Sequence, residues 1–476
     1  MACPPRAMVL DMVRQLDVWL TCAQPGTPIG TLTQAEGRVA FRYRPEWLAS
    51  SHATPLSQSL PLQADEFDDK ATRPFFAGLL PEGDKRRLVA QALGVSRQND
   101  FALLDGIGGE CAGAVTLLEP GQTPADAAAP NAVRWLDDAD LIKLLADMPR
   151  RPMLAGDGDL RLSLAGAQDK LPVVVQGDRI GLPLFGSPST HILKPTIQGI
   201  EGSVYNEGFC MALARAMGLD AAPAEIRRVQ GQPFLLVQRY DRLPAQPQTA
   251  ENVPAATQRL HQEDFCQALG VPPELKYQNE GGPDLAQAFA LVRSATRPSA
   301  PQVLKLLDFV LFNALIGNHD AHAKNFSLLY TPRGAVLAPL YDALCTAAYP
   351  ELSDRMAMKI GSKYRFADLY PRHWAQFASE AGLSPAQVKK ALKRTAERLP
   401  DLARQTQTRL AVQGHKHAVI GQISKLIDDR CATTLRRLAM PSADGPGEPG
   451  EPGEPSAGEP TGEAPGTAPH SDTPDH

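Results

Sequence analysis

The polar and apolar positions of this chain change rhythm twice. From Leu16-Asp-Val-Trp-Leu through Ile29-Gly-Thr-Leu to Val39-Ala-Phe-Arg-Tyr, short alternating stretches are split by Gly and Pro. A period of two lines one face of a sheet, so these are predicted strands. Helices are expected at about 84–95 and 98–106, followed by a tight turn, Gly106-Ile-Gly-Gly-Glu-Cys-Ala-Gly-Ala, into a strand at 114–118. A Pro-, Ala- and Asp-rich stretch at 119–133 reads as a linker, and 137–148 as a helix. Leu160-Arg-Leu-Ser-Leu, a small-residue loop and Leu171-Pro-Val-Val-Val then give strand, loop, strand. His191-Ile-Leu-Lys-Pro is a further short strand, 206–217 an amphipathic helix ended by Gly218, and Phe234-Leu-Leu-Val-Gln a buried strand turning polar. Residues 244–257 read as a surface loop. Beyond His261 the pattern is predominantly helical. Residues 303–316 are apolar nearly all round, which predicts a central buried helix. Ser384-Pro-Ala-Gln has the residues of a capping box opening a long helix.

Composition adds bounds. A chain of 476 residues implies two or three domains, and 43% hydrophobic residues suffice for packed cores. No apolar run approaches the roughly 18 residues of a membrane span, and Met1-Ala-Cys-Pro-Pro-Arg lacks a signal-peptide core. Seven scattered cysteines fit a reducing cytoplasm and argue against a zinc ribbon. The formal charge of −5 misleads, because eight acidic residues and no Lys or Arg lie in 441–476. Without that stretch the body is near neutral, which neither demands nor excludes nucleic acid. Its Gly-Glu-Pro repeats hold almost no apolar content and are expected to be disordered. The expected organisation is a leader (1–13), an N-terminal α/β subdomain (14–120), a linker (121–135), a strand-rich lobe (136–258), a helical lobe (259–440) and the tail (441–476). The fold class is α+β, and a strand lobe ahead of a helical lobe is the layout of a protein kinase.

The chemistry concentrates in Gly317-Asn-His-Asp-Ala-His-Ala-Lys-Asn-Phe-Ser, just past the buried helix. Two readings compete. A kinase needs a strand lysine for the phosphates, an Asp to accept the substrate hydroxyl proton, and an Asn and a second Asp for Mg²⁺. Asp320 precedes Asn325 by five, the spacing of a kinase catalytic loop. Asp342 follows a short apolar strand, Lys194 lies on another, and Lys170 follows Ala165-Gly166-Ala167, small residues that let backbone N–H groups approach a phosphate. Asp-x4-Asn alone is common by chance; four matches in the right order carry more. The second reading is a binuclear metallophosphoesterase, suggested by Gly317-Asn-His-Asp and by Gly414-His-Lys-His. Its upstream Asp-x-His and Gly-Asp-x-x-Asp blocks are missing, and the run before Gly317 reads as helix rather than strand, so it ranks second.

Over residues 15–435 the chain resembles the HipA family of Ser/Thr protein kinase toxins. Ser57-Gln-Ser-Leu-Pro-Leu, Phe75-Phe-Ala-Gly-Leu-Leu-Pro-Glu and Gly109-Glu-Cys-Ala-Gly-Ala look like its N-terminal subdomain. Ser163-Leu-Ala-Gly-Ala-Gln-Asp-Lys, His191-Ile-Leu-Lys-Pro, Asn206-Glu207 and Val237-Gln-Arg-Tyr-Asp-Arg look like its ATP lobe. Arg259-Leu-His-Gln-Glu-Asp-Phe, Lys276-Tyr, Gly281-Gly-Pro, the Asp320 stretch and Leu340-Tyr-Asp look like its helical lobe. The resemblance implies Asp320 as catalytic base and Asn325 and Asp342 as Mg²⁺ ligands. It implies Lys194, Lys170 and the loop Ala165, Gly166, Ala167 and Gln168 around the ATP phosphates, with Gln238 and Tyr240 on the hinge at adenine. Ser163 matches a serine that the family autophosphorylates, ejecting the loop and switching the enzyme off; the residues alone fit an ordinary strand serine nearly as well. Glu207 reads either as a partner of Lys194 or as a first-turn Glu favoured by the helix dipole. His319 and His322 are expected to be packing or hydrogen-bonding neighbours.

The expected function is an ATP- and Mg²⁺-dependent Ser/Thr kinase, the toxin of a toxin–antitoxin module. The resemblance implies a helix-turn-helix antitoxin partner, DNA contact only through it, and growth arrest by phosphorylation of a translation component, with an aminoacyl-tRNA synthetase the leading class. The alternative from another class is a kinase-fold corepressor with little turnover, which the intact Asp320, Asn325 and Asp342 oppose.

Overall fold

In the computed structural model, which describes residues 14–22, 27–124, 132–156, 160–243 and 257–440, the chain opens on four antiparallel strands. These are β1 (Arg14–Leu20), β2 (Gly30–Ala35), β3 (Arg38–Tyr43) and β4 (Val115–Leu118), in the order β3-β2-β1-β4. The alternation read from sequence puts Leu16, Val18, Leu32, Phe41 and Tyr43 into one core with the helices Gly83–Leu93 and Asp100–Ile107. A third helix, Asp69–Ala77, was not anticipated because Pro74 sits inside it. Asp68 caps it by accepting from the Ala71 N–H, and Phe75 and Phe76 bury its inner face. The expected leader, residues 244–256 of the expected loop, residues 125–131 of the linker and the tail lie outside the described residues.

A second sheet has six antiparallel strands: β5 (Val133–Leu136), β6 (Leu171–Gln176), β7 (Arg179–Pro183), β8 (His191–Pro195), β9 (Ala224–Val229) and β10 (Gln232–Gln238), ordered β5-β7-β6-β8-β10-β9. Three of these were missed. β5 falls where the linker was drawn, and β7 and β9 hold too few apolar residues in register; pairing with neighbours makes them strands. Conversely, the predicted strand at 160–164 joins neither sheet. Its Leu162 bridges Glu110 of the N-terminal subdomain instead. The helix Ser203–Ala216 crosses behind β9 and β10 and carries Glu207.

The helical lobe is built round the helix Ser299–Ile316, whose Leu306, Leu307, Leu311, Phe312, Leu315 and Ile316 are buried. It is apolar and long enough to cross a membrane, yet 61% of it is buried inside the protein as core. Gly317 ends it at φ +80°, where an added Cβ would meet Ala347 Cβ at 2.8 Å; glycine is required there on both counts. The catalytic-loop candidate thus starts from a fixed point. Helices Leu285–Ala295, Pro371–Glu380, Pro385–Val412 and Ala418–Ala439 surround this core. The capping box expected at Ser384 does not form: Ser384 is the N-cap without a side-chain bond. The lobe also contains a small sheet, His261–Asp264 with Ser327–Thr331 and Gly334–Leu337, set among residues expected to be mainly helical.

That small sheet meets the N-terminal subdomain through buried polar groups. Glu263 accepts from Ser57 Oγ (2.5 Å), the Gln58 N–H (3.0 Å) and Tyr330, and His261 Nε2 donates to the Leu56 carbonyl (2.7 Å). Burial pushes His261 down to about 4. The folded state therefore binds fewer protons at His261 than the unfolded chain between pH 4 and 6.5. Stability from neutral His261 is complete above pH 6.5 and is lost as pH falls through 4, about 2 kcal/mol of it by pH 5. Burial raises Glu263 to about 7, which acts in the opposite direction. His261→Gln isolates the first effect: its melting temperature should fall less than that of the wild type between pH 6.5 and 5.

Candidate active site

A cleft of about 420 Å³ opens between the six-stranded sheet and the helical lobe, and the N-terminal subdomain forms part of its wall with Gly78 and Glu82. On β8, Lys194 points into it and is 5% exposed. Its Nζ donates to Glu207 Oε1 (2.6 Å) and to Asp342. Glu207 is thus a partner of Lys194, which resolves its two sequence readings. Burial alone would discharge Lys194, but the carboxylates of Asp342 and Glu207 hold its pKa well up. Burial likewise works against charge on Asp342, but Lys194 and Lys170 keep it ionised, far below the usual carboxylate range. Asp342 adopts φ +57°, a conformation that Asp tolerates better than most residues.

The loop after Ser163 lies along the cleft: Ala165, Gly166, Ala167 and Gln168 all line it, with Lys170. Lys170 Nζ donates to the Ala165 carbonyl (2.9 Å), closing the loop on itself. Gly166 has φ +108°, and an added Cβ would lie 2.7 Å from Lys170 Nζ. Burial lowers the Lys170 pKa, partly offset by Asp342. The N-terminal subdomain clamps this loop from outside. The Glu82 N–H donates to the Gly166 carbonyl (3.1 Å), Lys85 pairs with Asp169 (2.7 Å), and Ser163 Oγ donates to the Leu79 carbonyl (2.7 Å). Ser163 is fully buried and lies outside the cleft lining.

Across the cleft, the backbone of the 318–325 turn is fixed at several points. The Asp320 N–H donates to Asn318 Oδ1 (3.1 Å), and the Asp320 carbonyl accepts from the His322 N–H (2.7 Å) and from Asn325 Nδ2 (3.0 Å). The Asn325 amide nitrogen is thereby committed, and its oxygen is the atom left to act as a ligand. The Asp320 carboxylate accepts from Tyr277 Oη at Oδ1 (2.7 Å). His319 bonds the Ser353 carbonyl through Nδ1 (3.1 Å), and His322 packs edge-on against Tyr277 at 5.3 Å. His322 also lines the cleft. At the end of β10 and just past it, Gln238 and Tyr240 line the cleft with Ile192, Val237 and Leu344. The Gln238 side chain is exposed, while Tyr240 packs against Tyr341 at 5.5 Å and donates to Gln262.

The donor set suits Mg²⁺, which binds through one or two protein oxygens plus phosphates and water. Asp342 offers a charged oxygen and Asn325 a neutral one. Among the described residues no group of three His, Cys, Asp or Glu could hold a metal by itself. His415 lies in a separate groove with Arg215 and Arg409, and His417 stacks on Tyr205 at 4.8 Å.

Two functional features escaped the sequence reading. Glu82, quoted only as part of a motif, pairs with Lys276 (2.8 Å) and Lys324 (3.5 Å), and Lys324 also pairs with Asp264 (3.0 Å). Glu110, in the turn read as a plain connection, is wholly buried behind the hinge, 2.9 Å from Arg239 and 2.6 Å from Arg242. Asp241 completes the cluster, 2.8 Å from Arg239 and accepting from the Gly113 N–H at 2.7 Å. Burial opposes a charge on Glu110, but the two arginines prevail and hold it down at about 2.

A strand-rich lobe and a helical lobe enclosing such a cleft make the fold that of a protein kinase. Comparison with known proteins fixes the family. Residues 16–118 match the HipA N-terminal domain and residues 162–403 the HipA-like C-terminal domain. A putative kinase, Y4mE of Sinorhizobium fredii, is 48% identical over 383 residues, 80% of this chain and 89% of that one. The serine/threonine-protein kinase toxin HipA of Shewanella oneidensis is 31% identical over 374 residues, 76% of this chain and 82% of that one. The solved complex of Shewanella oneidensis HipA, HipB and operator DNA superposes with a TM-score of 0.75 at 27% identity, covering 89% of this chain and 98% of that one. The chain belongs to the HipA family of kinases.

Proposed function

We propose that this chain is an ATP- and Mg²⁺-dependent protein serine/threonine kinase acting as the toxin of a toxin–antitoxin module. The observation that carries it is Lys194, held by Glu207 and Asp342 on the sheet side of one cleft, with Asp320 and Asn325 on the other. Asp320 takes the proton of the acceptor hydroxyl as the hydroxyl oxygen attacks the γ-phosphorus of ATP; the bond from that phosphorus to the bridging oxygen breaks and ADP leaves. Lys194 and Lys170 hold the phosphates, and the backbone of Ala165, Gly166, Ala167 and Gln168 lies against them. Gln238 and Tyr240 meet adenine. Asn325 and Asp342 would hold Mg²⁺, which when bound neutralises phosphate charge. The Lys194–Asp342 contact must loosen for both to reach ligand.

The partner is a helix-turn-helix antitoxin, with operator DNA reached through it; the Shewanella relative was solved with HipB and operator DNA. The substrate is a component of the translation machinery in the cytoplasm, an aminoacyl-tRNA synthetase being the leading class, and its phosphorylation arrests growth. Self-inhibition runs through Ser163. A dianion cannot be accommodated at a buried hydroxyl bonded to a carbonyl, so phosphate there would hold the loop out of the cleft. The test is incubation with labelled ATP and Mg²⁺. Label should enter the chain, fall several-fold in Ser163→Ala, and vanish with a chelator. ATP binding without label on any protein would leave a corepressor, and phosphoester hydrolysis requiring Mn²⁺ or Fe would overturn the kinase reading.

A further inference from the structure

The proposed base is held by its side chain as well as by its backbone. Tyr277 Oη donates to Asp320 Oδ1 at 2.7 Å, which leaves Oδ2 to face an incoming hydroxyl. Tyr277 is itself firmly seated. Its ring packs edge-on against the buried His322 (5.3 Å, 80°), and its carbonyl accepts from the Glu280 and Gly282 N–H groups at 3.0 and 2.9 Å. The next residue, Gln278, accepts the Lys359 N–H at 2.7 Å. On the other side, Lys276 Nζ reaches Glu82 Oε2 at 2.8 Å.

Glu82 is the junction. It comes from the N-terminal subdomain, at the start of the helix Gly83–Leu93. Its carboxylate meets Lys276 and, at 3.5 Å, Lys324 within the catalytic turn, while its N–H holds the Gly166 carbonyl. One residue therefore touches the phosphate loop, the catalytic turn and the segment that orients the base. A residue serving only to cap its own helix would make none of these contacts.

We propose that Tyr277 is the positioning residue for Asp320, and that Glu82 is the N-terminal subdomain's hold on it through Lys276. The inference rests on Asp320 being the base. A freely rotating carboxylate spends part of its time with neither oxygen aimed at the acceptor; the phenol fixes one oxygen and thereby aims the other. The contact joins two protein side chains on the catalytic-turn side of the cleft, away from Lys194 and Lys170, so its effect belongs in turnover rather than ATP affinity.

The test is ADP production from ATP and Mg²⁺ by the full chain, which needs no identified protein acceptor. Tyr277→Phe keeps the ring against His322 and removes only the donor. Its kcat should fall about tenfold, with the Kd for ATP and the melting temperature unchanged. In an Asp320→Ala background the same change should add nothing. Glu82→Gln should lower kcat in the same direction by a smaller factor, and that effect should be absent from Tyr277→Phe. Wild-type or faster turnover in Tyr277→Phe, with Asp320→Ala inactive, overturns the proposal and makes the phenol a bystander or a plug. A parallel loss of ATP affinity and melting temperature overturns it too, as the mark of a packing role. Full activity in Asp320→Ala would instead remove the reading of the base itself.

Discussion

Asp320→Ala should lower ADP production and phosphate transfer about 10³-fold, within the ~10²–10⁴ range for loss of a general base. The geometry makes this a clean experiment. Asp320 sits on a turn whose backbone is fixed by Asn318, His322 and Asn325, so truncating the side chain leaves the turn in place. Lys170 and Lys194, the lysines proposed to hold the phosphates, stand on the opposite wall and keep their partners. ATP affinity, read by fluorescence titration or calorimetry, should therefore stay within about threefold while turnover collapses, the pattern expected when a group acts in the transition state rather than in ground-state binding. Equal losses in both quantities would mean that Asp320 organises the cleft instead of taking a proton.

The second large effect is on stability. Glu110 is fully buried and neutralises two arginines at the hinge, Arg239 and Arg242, each 1% exposed in its side chain. Glu110→Ala would leave two guanidinium groups sharing Asp241 as their remaining carboxylate, with a void beside them. Breaking a buried ion pair from one side costs roughly 3–5 kcal/mol, because the surviving charge has no water to turn to. Urea unfolding at pH 7 should show that loss as a lower midpoint. Glu110→Gln, which keeps the shape and some hydrogen bonds, should lose less. Because Arg239 lies between Gln238 and Tyr240, the Ala variant should also bind ATP more weakly. An unchanged midpoint would mean that Asp241 alone suffices for both arginines.

What the sequence made legible was local. Asp320 and Asn325 are five apart on one turn, Gly317 announces the end of the helix before them, and Lys194 sits in an apolar strand; each signal lies within a dozen residues. The polar partners of the site are not local. Glu82 finds Lys324 across more than two hundred positions, and Glu110 finds Arg239 across more than a hundred. Neither carboxylate has a spacing or period that marks it, since a charge in a Gly-rich turn looks like a solvated charge until the fold buries it. The misread strands have the same cause. β9, Ala-Glu-Ile-Arg-Arg-Val, holds a strand's place because β10 pairs with it, whereas Leu160 to Leu164 has the pattern of a strand and meets a single bridge partner. At Ser384 the right residues for a cap are present, and the side chain makes no bond. Pattern proposes elements, and long-range pairing decides among them.

The two carboxylates supplied from outside the catalytic lobes bear on how such a gene can evolve. A fragment spanning only the catalytic match would carry Asp320, Lys170 and Lys194, and would look complete to any inspection of motifs. It would also lack Glu82 and Glu110, adding two uncompensated positive charges to the walls of its own cleft and hinge. Recombination that joined this catalytic half to a different N-terminal subdomain would have to bring two acids to the same two points in space. The N-terminal subdomain thus completes the charge balance of a cleft whose other charged residues lie in the catalytic match.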